Sequence, residues 1–409
     1  MVTDSKVFDC KWETIPFNQY FTLIPTNTFS REQLCDNGEI GNIHYGDVLI
    51  KYGCILSKNN YIPRLIDTST LNTRHYLKKN DVIIADTAED ETVGKAVQVG
   101  DINMPLVSGL HTIACRPNYP TADGFLGYYI NSKCYHEQIL PYVTGIKVSS
   151  ISKKTIGKTE LHIPKDVKEQ QAIASVLSDF DEHIDNLTEL IEKKKAIRDG
   201  ALEDLLSGRT RLDGFDGEWE KKPVSEICDV FDGTHQTPKY SVSGIKFVSV
   251  ENITDIYSSN KYISKADYER DFKVHPEKGD VLMTRIGDIG TSCIVKTTEP
   301  IAYYVSLALF KNIIINSEFL NHYIKSKVFK NELDDRTLHH ATPKKINKGE
   351  IGKCKVCYPI HQEEQQAIAS VLTVMDEEIE SLEIEKAKMM QIREGAMDDL
   401  LTGRVRLKV

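Results

Sequence analysis

Apolar positions along this chain follow two rhythms. In one stretch Ile173, Leu177, Phe180, Ile184, Leu187 and Ile191 recur at alternating steps of four and three. That spacing lines one face of a helix and forms the seam of a coiled coil. The same phase returns at Ile368, Leu372, Met375, Ile379 and Leu382. Each stretch runs for some 40 residues without proline, which predicts helices ~60 Å long at ~1.5 Å per residue. Gly208 and Gly403 follow the last leucine pair of each, where a helix C-cap favours glycine. Midway the first seam loosens, and Lys194 and Arg198 occupy it before Ala201 and Leu205 resume it. Two such helices most simply bury their seams against each other; a helix laid on a globular core is the plainer alternative. Gly200 and Gly395 mark either a close helix crossing or a local break.

The second rhythm is short. Runs with β character at 47–50, 81–84 and 111–114 precede the first long helix, and others at 245–250, 280–283, 292–295, 304–310 and 353–358 precede the second. Glycine, asparagine and proline turns separate them. Residues 128–140 and 319–329 read as helices. The expected organisation is a mixed α/β domain at 1–165, a long helix at 166–210, a second mixed domain at 211–360 and a second long helix at 361–409. A turn-rich connector, Asp213-Gly-Phe-Asp-Gly217, opens the second domain. The fold class is α+β, with a two-fold internal repeat.

The repeat is explicit. Residues 169–177 and 364–372 both read EQQAIASVL, and 163–212 matches 358–407 without a gap at 26 of 50 positions. Trp12-Glu13 is echoed by Trp219-Glu220, and Lys79-Asn-Asp81 by Lys278-Gly-Asp280. A period this long duplicates a whole domain-plus-helix unit, since solenoids repeat every 20–50 residues or so. The helices agree at about half their positions, the domains only in scattered core-like stretches. Matched supports with divergent loops suit a protein that reads two different things.

Composition narrows the field modestly. A chain of 409 residues, 40% hydrophobic and 27% charged, has material for two or more cores. No apolar run reaches membrane-spanning length, and the N-terminal residues lack the basic-then-apolar order of a secretory signal. Nine scattered cysteines are consistent with reduced thiols in a cytoplasm. The net charge of −9 conceals a division: the helical stretches 167–207 and 362–402 together carry −13, leaving +4 on the remainder. The helices are therefore poor ligands for DNA, whereas the segments between them can face phosphates.

Several constellations lack the context their chemistry needs. Cys354 and Cys357 have zinc-knuckle spacing, but no second pair lies at ligand spacing. His339 and His340 are adjacent and diverge. The stretch Gly287-Asp-Ile-Gly290 has no third glycine and no following helix. There is no Walker lysine motif, and no Pro-Pro, which an amino-methyltransferase tetrapeptide of the Asn-Pro-Pro-Tyr type would require.

Over its whole length the chain resembles the specificity subunit of type I restriction–modification systems. The resemblance is carried by Pro164 with Glu169-Gln170 and the helix ending Leu205-Leu-x-Gly208-Arg. It recurs in Pro359, Glu364-Gln365 and Leu400-Leu-x-Gly403-Arg, with support from the Asp280-Val-Leu core and the Thr237-Pro238 loop. It implies two target-recognition domains and two long helices paired as an antiparallel coiled coil. It further implies a double-stranded DNA target split by an unread spacer, each domain reading one half. Two methyltransferase subunits would supply S-adenosylmethionine binding and adenine methylation, and two ATP-driven, Mg-dependent motor-nuclease subunits would join for restriction. This chain itself would be non-catalytic and hold no cofactor and no metal. Two other classes are a self-contained DNA-modifying enzyme, which would bind S-adenosylmethionine alone, and a coiled-coil scaffold or free-standing regulator, which would lack neighbouring methyltransferase and helicase–nuclease genes.

Candidate DNA contacts follow from loop chemistry. In the second domain they are Thr234, His235, Gln236, Thr237, Lys239 and Tyr240; Arg285 and Asp288; and Arg336, His339, His340, Thr342, Lys344 and Lys345. Histidine, glutamine and arginine can bond base edges, and lysine and threonine can hold phosphates. In the first domain the gapless alignment places Thr144, Lys147, Ser149 and Ser150 opposite the last of these loops. The acidic stretch 87–92 lies opposite Arg285, where Glu89 is suited to a cytosine amino group. Lys58, Asn59 and Arg74 are further basic or polar candidates.

Overall fold

The computed structural model of the protein describes residues 12–145, 148–236 and 238–408. Two compact units emerge, one of Met1–Thr188 with Glu385–Val409, the other Glu189–Ile384. Both long helices are unbroken, Val167–Leu206 and Gln362–Leu401, and each contributes residues to both units.

In the first unit a two-stranded antiparallel clasp joins Trp12–Pro16 to Glu160–Pro164, the two ends of the globular domain. A five-stranded sheet runs in the order Phe21–Ile24, Thr112–Pro117, Val82–Ala85, Ala96–Val99, Ile55–Leu56. A second sheet, of four short strands, runs Leu106–Ser108, Gly41–Ile43, Arg64–Leu65, Leu34–Cys35. The second unit repeats the plan. Trp219–Pro223 clasps Lys355–Pro359. One sheet orders Asp229–Asp232, Leu307–Lys311, Val281–Thr284 and Ser292–Ile294; the other orders Tyr240–Ser241, Tyr262–Ile263, Ile245–Val248 and Ile301–Tyr303.

The shared Asp81 and Asp280 stretches owe their recurrence to one turn. Asn80 and Gly279 take positive φ, 72° and 96°, which glycine and asparagine tolerate best. Each following aspartate is buried and accepts an amide proton from three residues back, Lys78 N at 2.6 Å and Glu277 N at 2.8 Å. A cation then closes each carboxylate: Arg116 in bidentate fashion at 2.8 and 2.7 Å on Asp81, Lys311 at 2.9 Å on Asp280.

Four readings of the sequence need correction. The 47–50 run is not a strand but part of the helix Tyr45–Ile50, whose N-terminus is capped by His44 accepting from Gly46 N. A run of three apolar residues has no period long enough to separate the two forms. The helix expected at 128–140 is two helices, Phe125–Ile130 and Lys133–Ile139. The one expected at 319–329 is likewise two, Ser317–Lys325 and Lys327–Asp334. Ser132 and Ser326 make the breaks alike: each hydroxyl donates to the carbonyl three residues back and accepts the amide three residues on, so a serine cap starts a new helix. Gly200 and Gly395 mark neither a crossing nor a break; both lie within continuous helix with open space where a Cβ would sit.

The seam behaves in two ways. Its first residues, Ile173 and Leu177 in one unit and Ile368 and Leu372 in the other, join the cores of the globular domains. Into those same cores comes the end of the opposite helix, Leu400 and Leu401 in the first and Leu202, Leu205 and Leu206 in the second. The pairing and the globular-core reading are thus both right at the ends. Further along, Leu187, Ile191 and Ile379 are buried, while Phe180, Ile184, Met375 and Leu382 are half-buried. Ion pairs fix the antiparallel direction. Lys194 meets Glu378 at 2.6 Å and Arg198 meets Asp376 at 3.3 Å in one unit, and Arg393 meets Asp181 in the other. The charges that loosen the seam therefore serve the pairing.

The repeated Glu-Gln start of each helix is a lock. Gln170 donates to Pro164 O at 2.9 Å and Gln365 to Pro359 O at 2.7 Å. Glu169 receives Arg406 and the Trp12 indole; Glu364 receives Arg211 at 2.6 and 2.8 Å. Gly208 and Gly403, at φ 70° and 73°, turn the chain back at each helix end so that Trp219 and Trp12 pack on them.

Candidate nucleic-acid interface

Beyond the strands of each domain, separate chain segments meet on a rim. In the second domain Thr234 bridges Tyr304, Ile286 bridges Lys345, and Leu338 bridges the same Lys345. Gly287 N donates to Lys344 O at 2.8 Å, Arg285 N to Ser306 O at 2.9 Å, and Ile346 N to Arg285 O at 3.0 Å. The loops at 233–240, 285–291 and 336–346, singled out on separate grounds in the sequence, are therefore neighbours.

Their side chains divide sharply in availability. His235, Gln236, Lys239, Asp288, His339, His340, Thr342, Lys344 and Lys345 are exposed. Thr234 is half-buried and donates to Gln236 O at 3.4 Å. Tyr240 is exposed, with Lys261 Nζ 5.9 Å from its ring centroid. Asp288 accepts from the Thr291 hydroxyl, and His339 Nε2 lies 2.9 Å from Asp334 O. Arg336 is held by the helix that precedes it, bonded to Glu332 O at 2.9 Å and paired with the Glu332 carboxylate at 2.8 Å. Thr237 lies outside the described residues.

Arg285 departs most from the expectation of a guanine contact. It is only 6% exposed. Its guanidinium pairs with Asp232 and its Nε donates to Ile346 O at 3.1 Å. The structure places it under the loops, not on them.

The first domain repeats this backbone with other side chains. Thr87–Ala88 pairs with Ser149–Ser150, and Thr144 bridges Ser150, reproducing the 286–345 and 338–345 contacts. Asp86 N donates to His111 O at 3.1 Å and Ile151 N to Asp86 O at 2.9 Å, matching Arg285 between Ser306 and Ile346. Thr144 is exposed, Ser149 and Ser150 are half-buried, and Lys147 lies outside the described residues. Glu89, Asp90 and Glu91 are exposed, with Asp90 accepting from Thr92. Lys58 and Asn59 sit on a turn closed by Asn60, and Asn59 lines a cleft of about 1760 Å³ against both long helices in that unit. Arg74 lies on the 3-10 turn Thr73–His75, its amide bonded to the Asn72 side chain at 3.0 Å.

Sequence reasoning overlooked Asp86 and Asp232, the acidic groups at the base of each rim. Counting from the Asp81 and Asp280 turns places Asp86 opposite Arg285, a signal present in the sequence. Nothing there pairs Asp232 with Arg285, which are 53 residues apart. The two cysteines 354 and 357 lie at the closing clasp, where burial pushes the Cys354 thiol up to about 12. Among the described residues no group of three or more His, Cys, Asp or Glu is arranged to hold a metal, and no helix is long and apolar enough to cross a membrane.

Comparison with known proteins agrees with this architecture. The sequence profile described as "Type I restriction modification DNA specificity domain" matches twice, at residues 10–196 and 216–389. The type I restriction enzyme MjaVIII specificity subunit of Methanocaldococcus jannaschii is 25% identical over 284 residues, covering 64% of this chain and 66% of that protein. The putative type I restriction enzyme MjaX specificity subunit of the same organism is 23% identical over 365 residues, covering 80% and 79%. The crystal structure of a type I restriction–modification S subunit from M. genitalium shares the fold at a TM-score of 0.61, with 17% identity over 97% of each chain. A chain from a structural study of complex assembly and conformational transition of the type I R-M system gives 0.58, at 15% identity over 95% of this chain and 97% of that one. With the profile matching both halves of a duplicated frame, the chain belongs to the type I restriction–modification specificity family, whose members are the DNA-recognition, non-catalytic subunits of those systems.

Proposed function

We propose that this chain reads a DNA target in two separated halves, one per domain, and brings that target to methyltransferase and restriction subunits. One observation carries the reading. The two rims share their backbone bridges, yet Thr87, Thr144 and Ser150 in one stand where Ile286, Leu338 and Lys345 stand in the other. A common scaffold with exchanged rim chemistry suits two different base sequences, because base edges are told apart by the donors and acceptors set against them. The exposed residues His235, Gln236, Lys239, His339, His340, Lys344 and Lys345 are the proposed contacts in the second domain; Thr144, Lys147, Ser149 and Ser150 are those in the first. The lysines hold phosphates and set register. The two unbroken helices set the length of the unread spacer. Two methyltransferase subunits, with S-adenosylmethionine, and two motor-nuclease subunits, with ATP and Mg, are the proposed partners.

The test is to map adenine methylation in DNA modified by this chain with its cognate methyltransferase. A motif of two specified halves around an unspecified spacer is expected. A continuous, undivided motif refutes the proposal.

A further inference from the structure

We propose that Arg285 and Asp86 are positioning residues, each holding the reading loops of its own domain as one body and so setting how sharply that domain discriminates bases. The inference rests on the DNA-reading function proposed above.

The geometry in the second domain is a three-way junction. Arg285 begins the loop at 285–291, and its backbone joins Ser306 on one side and Ile346 on the other. Its side chain reaches in two further directions, to Asp232 at the end of the strand that leads into the 233–240 loop, and to Ile346 O at the foot of the 336–346 loop. Tyr303 donates to Asp232 O at 3.1 Å, fixing that strand end as well. One buried guanidinium therefore touches the base of two reading loops and carries the third. Its planar fork suits this task, because donors at fixed angles restrain both acceptors together, which a lysine ammonium does poorly.

The first domain repeats the backbone of this junction, with a carboxylate that joins Thr87 and His111 in the guanidinium's place. Asp86 takes the Arg285 place in the backbone, between His111 and Ile151. Its carboxylate accepts from the Thr87 hydroxyl at 2.8 Å and lies 3.4 Å from His111 Nδ1. Thr87 belongs to the rim strand paired with Ser149–Ser150. Where the rims exchange their exposed residues, the junction beneath keeps its backbone and changes its side-chain partners. A base-reading side chain discriminates only if its donors stay within hydrogen-bonding geometry of one base edge, so the group restraining the loops acts on specificity without touching DNA.

The experiment uses the full chain with its cognate methyltransferase and compares methylation of cognate sites with sites carrying one mismatch. Arg285→Gln should lower the cognate-to-mismatch ratio at least tenfold in one half-site and leave the other within twofold. Arg285→Lys should restore part of the loss, and Asp86→Asn should blunt discrimination in the opposite half-site. Should Arg285→Gln fail to assemble, Asp232→Asn removes one restraint while keeping the shape, and carries the same expectation. Equal loss of methylation at all sites with unchanged ratios would show a purely structural role and overturn the inference. An undivided wild-type motif refutes the reading function itself, whereas a split motif with unchanged ratios refutes only this step.

Discussion

Replacing Arg211 by alanine tests the lock that returns each helix end to the start of the other. The Glu364 side chain is 1% exposed and receives Arg211 at 2.6 and 2.8 Å, while the same guanidinium donates to Gly217 O at 3.0 Å. Removing one partner of a fully buried pair costs about 3–5 kcal/mol, because the remaining charge has no solvent. Arg211 keeps about a quarter of its side chain in water, so solvent screening brings the cost just below that range, to about 2–3 kcal/mol. Its guanidinium carbon also lies 5.7 Å from the Trp219 ring centroid, adding roughly 0.5–1 kcal/mol. The expected loss is about 3 kcal/mol. The chain has only two tryptophans, Trp12 and Trp219, one at each lock, so a Trp12→Phe background makes fluorescence report on Trp219 alone. With a urea slope of roughly 2–3 kcal/mol/M, Arg211→Ala should lower the midpoint of that transition by about 1–1.5 M. Adding Glu364→Gln should recover about 1 kcal/mol or more, since it removes the stranded charge. A midpoint shift below roughly 0.3 M, or no recovery in the double variant, would refute the reasoning.

Two further outcomes are expected. His322 is buried beside Lys325, Arg198 and Asp376, and burial first, then the two cations, push its pKa down to about 4. The unfolded chain takes up that proton near pH 6.5 while the folded one resists, so this contribution is complete above 6.5 and falls as pH drops toward 4, by about 3 kcal/mol in all. His322→Tyr should flatten urea midpoints across that window; the aligned Tyr128 donates to Asp181 at 2.7 Å in the first unit. An unchanged pH slope would exclude His322 as its source. Deleting four residues within 182–191 shortens the first long helix by about 6 Å. It should change the spacer of the methylated motif and leave both half-sites intact; altered half-site bases would contradict a spacer set by the helices.

Much of the frame was legible because its signals are periodic or repeated. Ile173, Leu177, Ile368 and Leu372 announce their helices by spacing, and Gly208 and Gly403 end them where positive φ is needed. The Asp81 and Asp280 turns are legible because the constraint is local: an αL residue, then a carboxylate reaching back three residues. What escaped notice depends on one residue competing with its surroundings. Ser132 and Ser326 each break a helix that the apolar pattern continues through, and the 47–50 run follows a histidine cap. At the rim, loop chemistry offered Arg285 as a guanine contact, whereas the structure buries it against Asp232. Nothing in the sequence near Arg285 indicates that Asp232 lies beneath it, because strand pairing across the sheet brings the two together. Side-chain direction is decided by such long-range pairings.

The account turns on each domain reading its own half of the target independently. The most direct measurement exchanges residues 218–359 for the corresponding domain of another family member and maps adenine methylation with the same methyltransferase. One half-site should be replaced and the other retained base for base; a motif altered in both halves, or in neither, would contradict it.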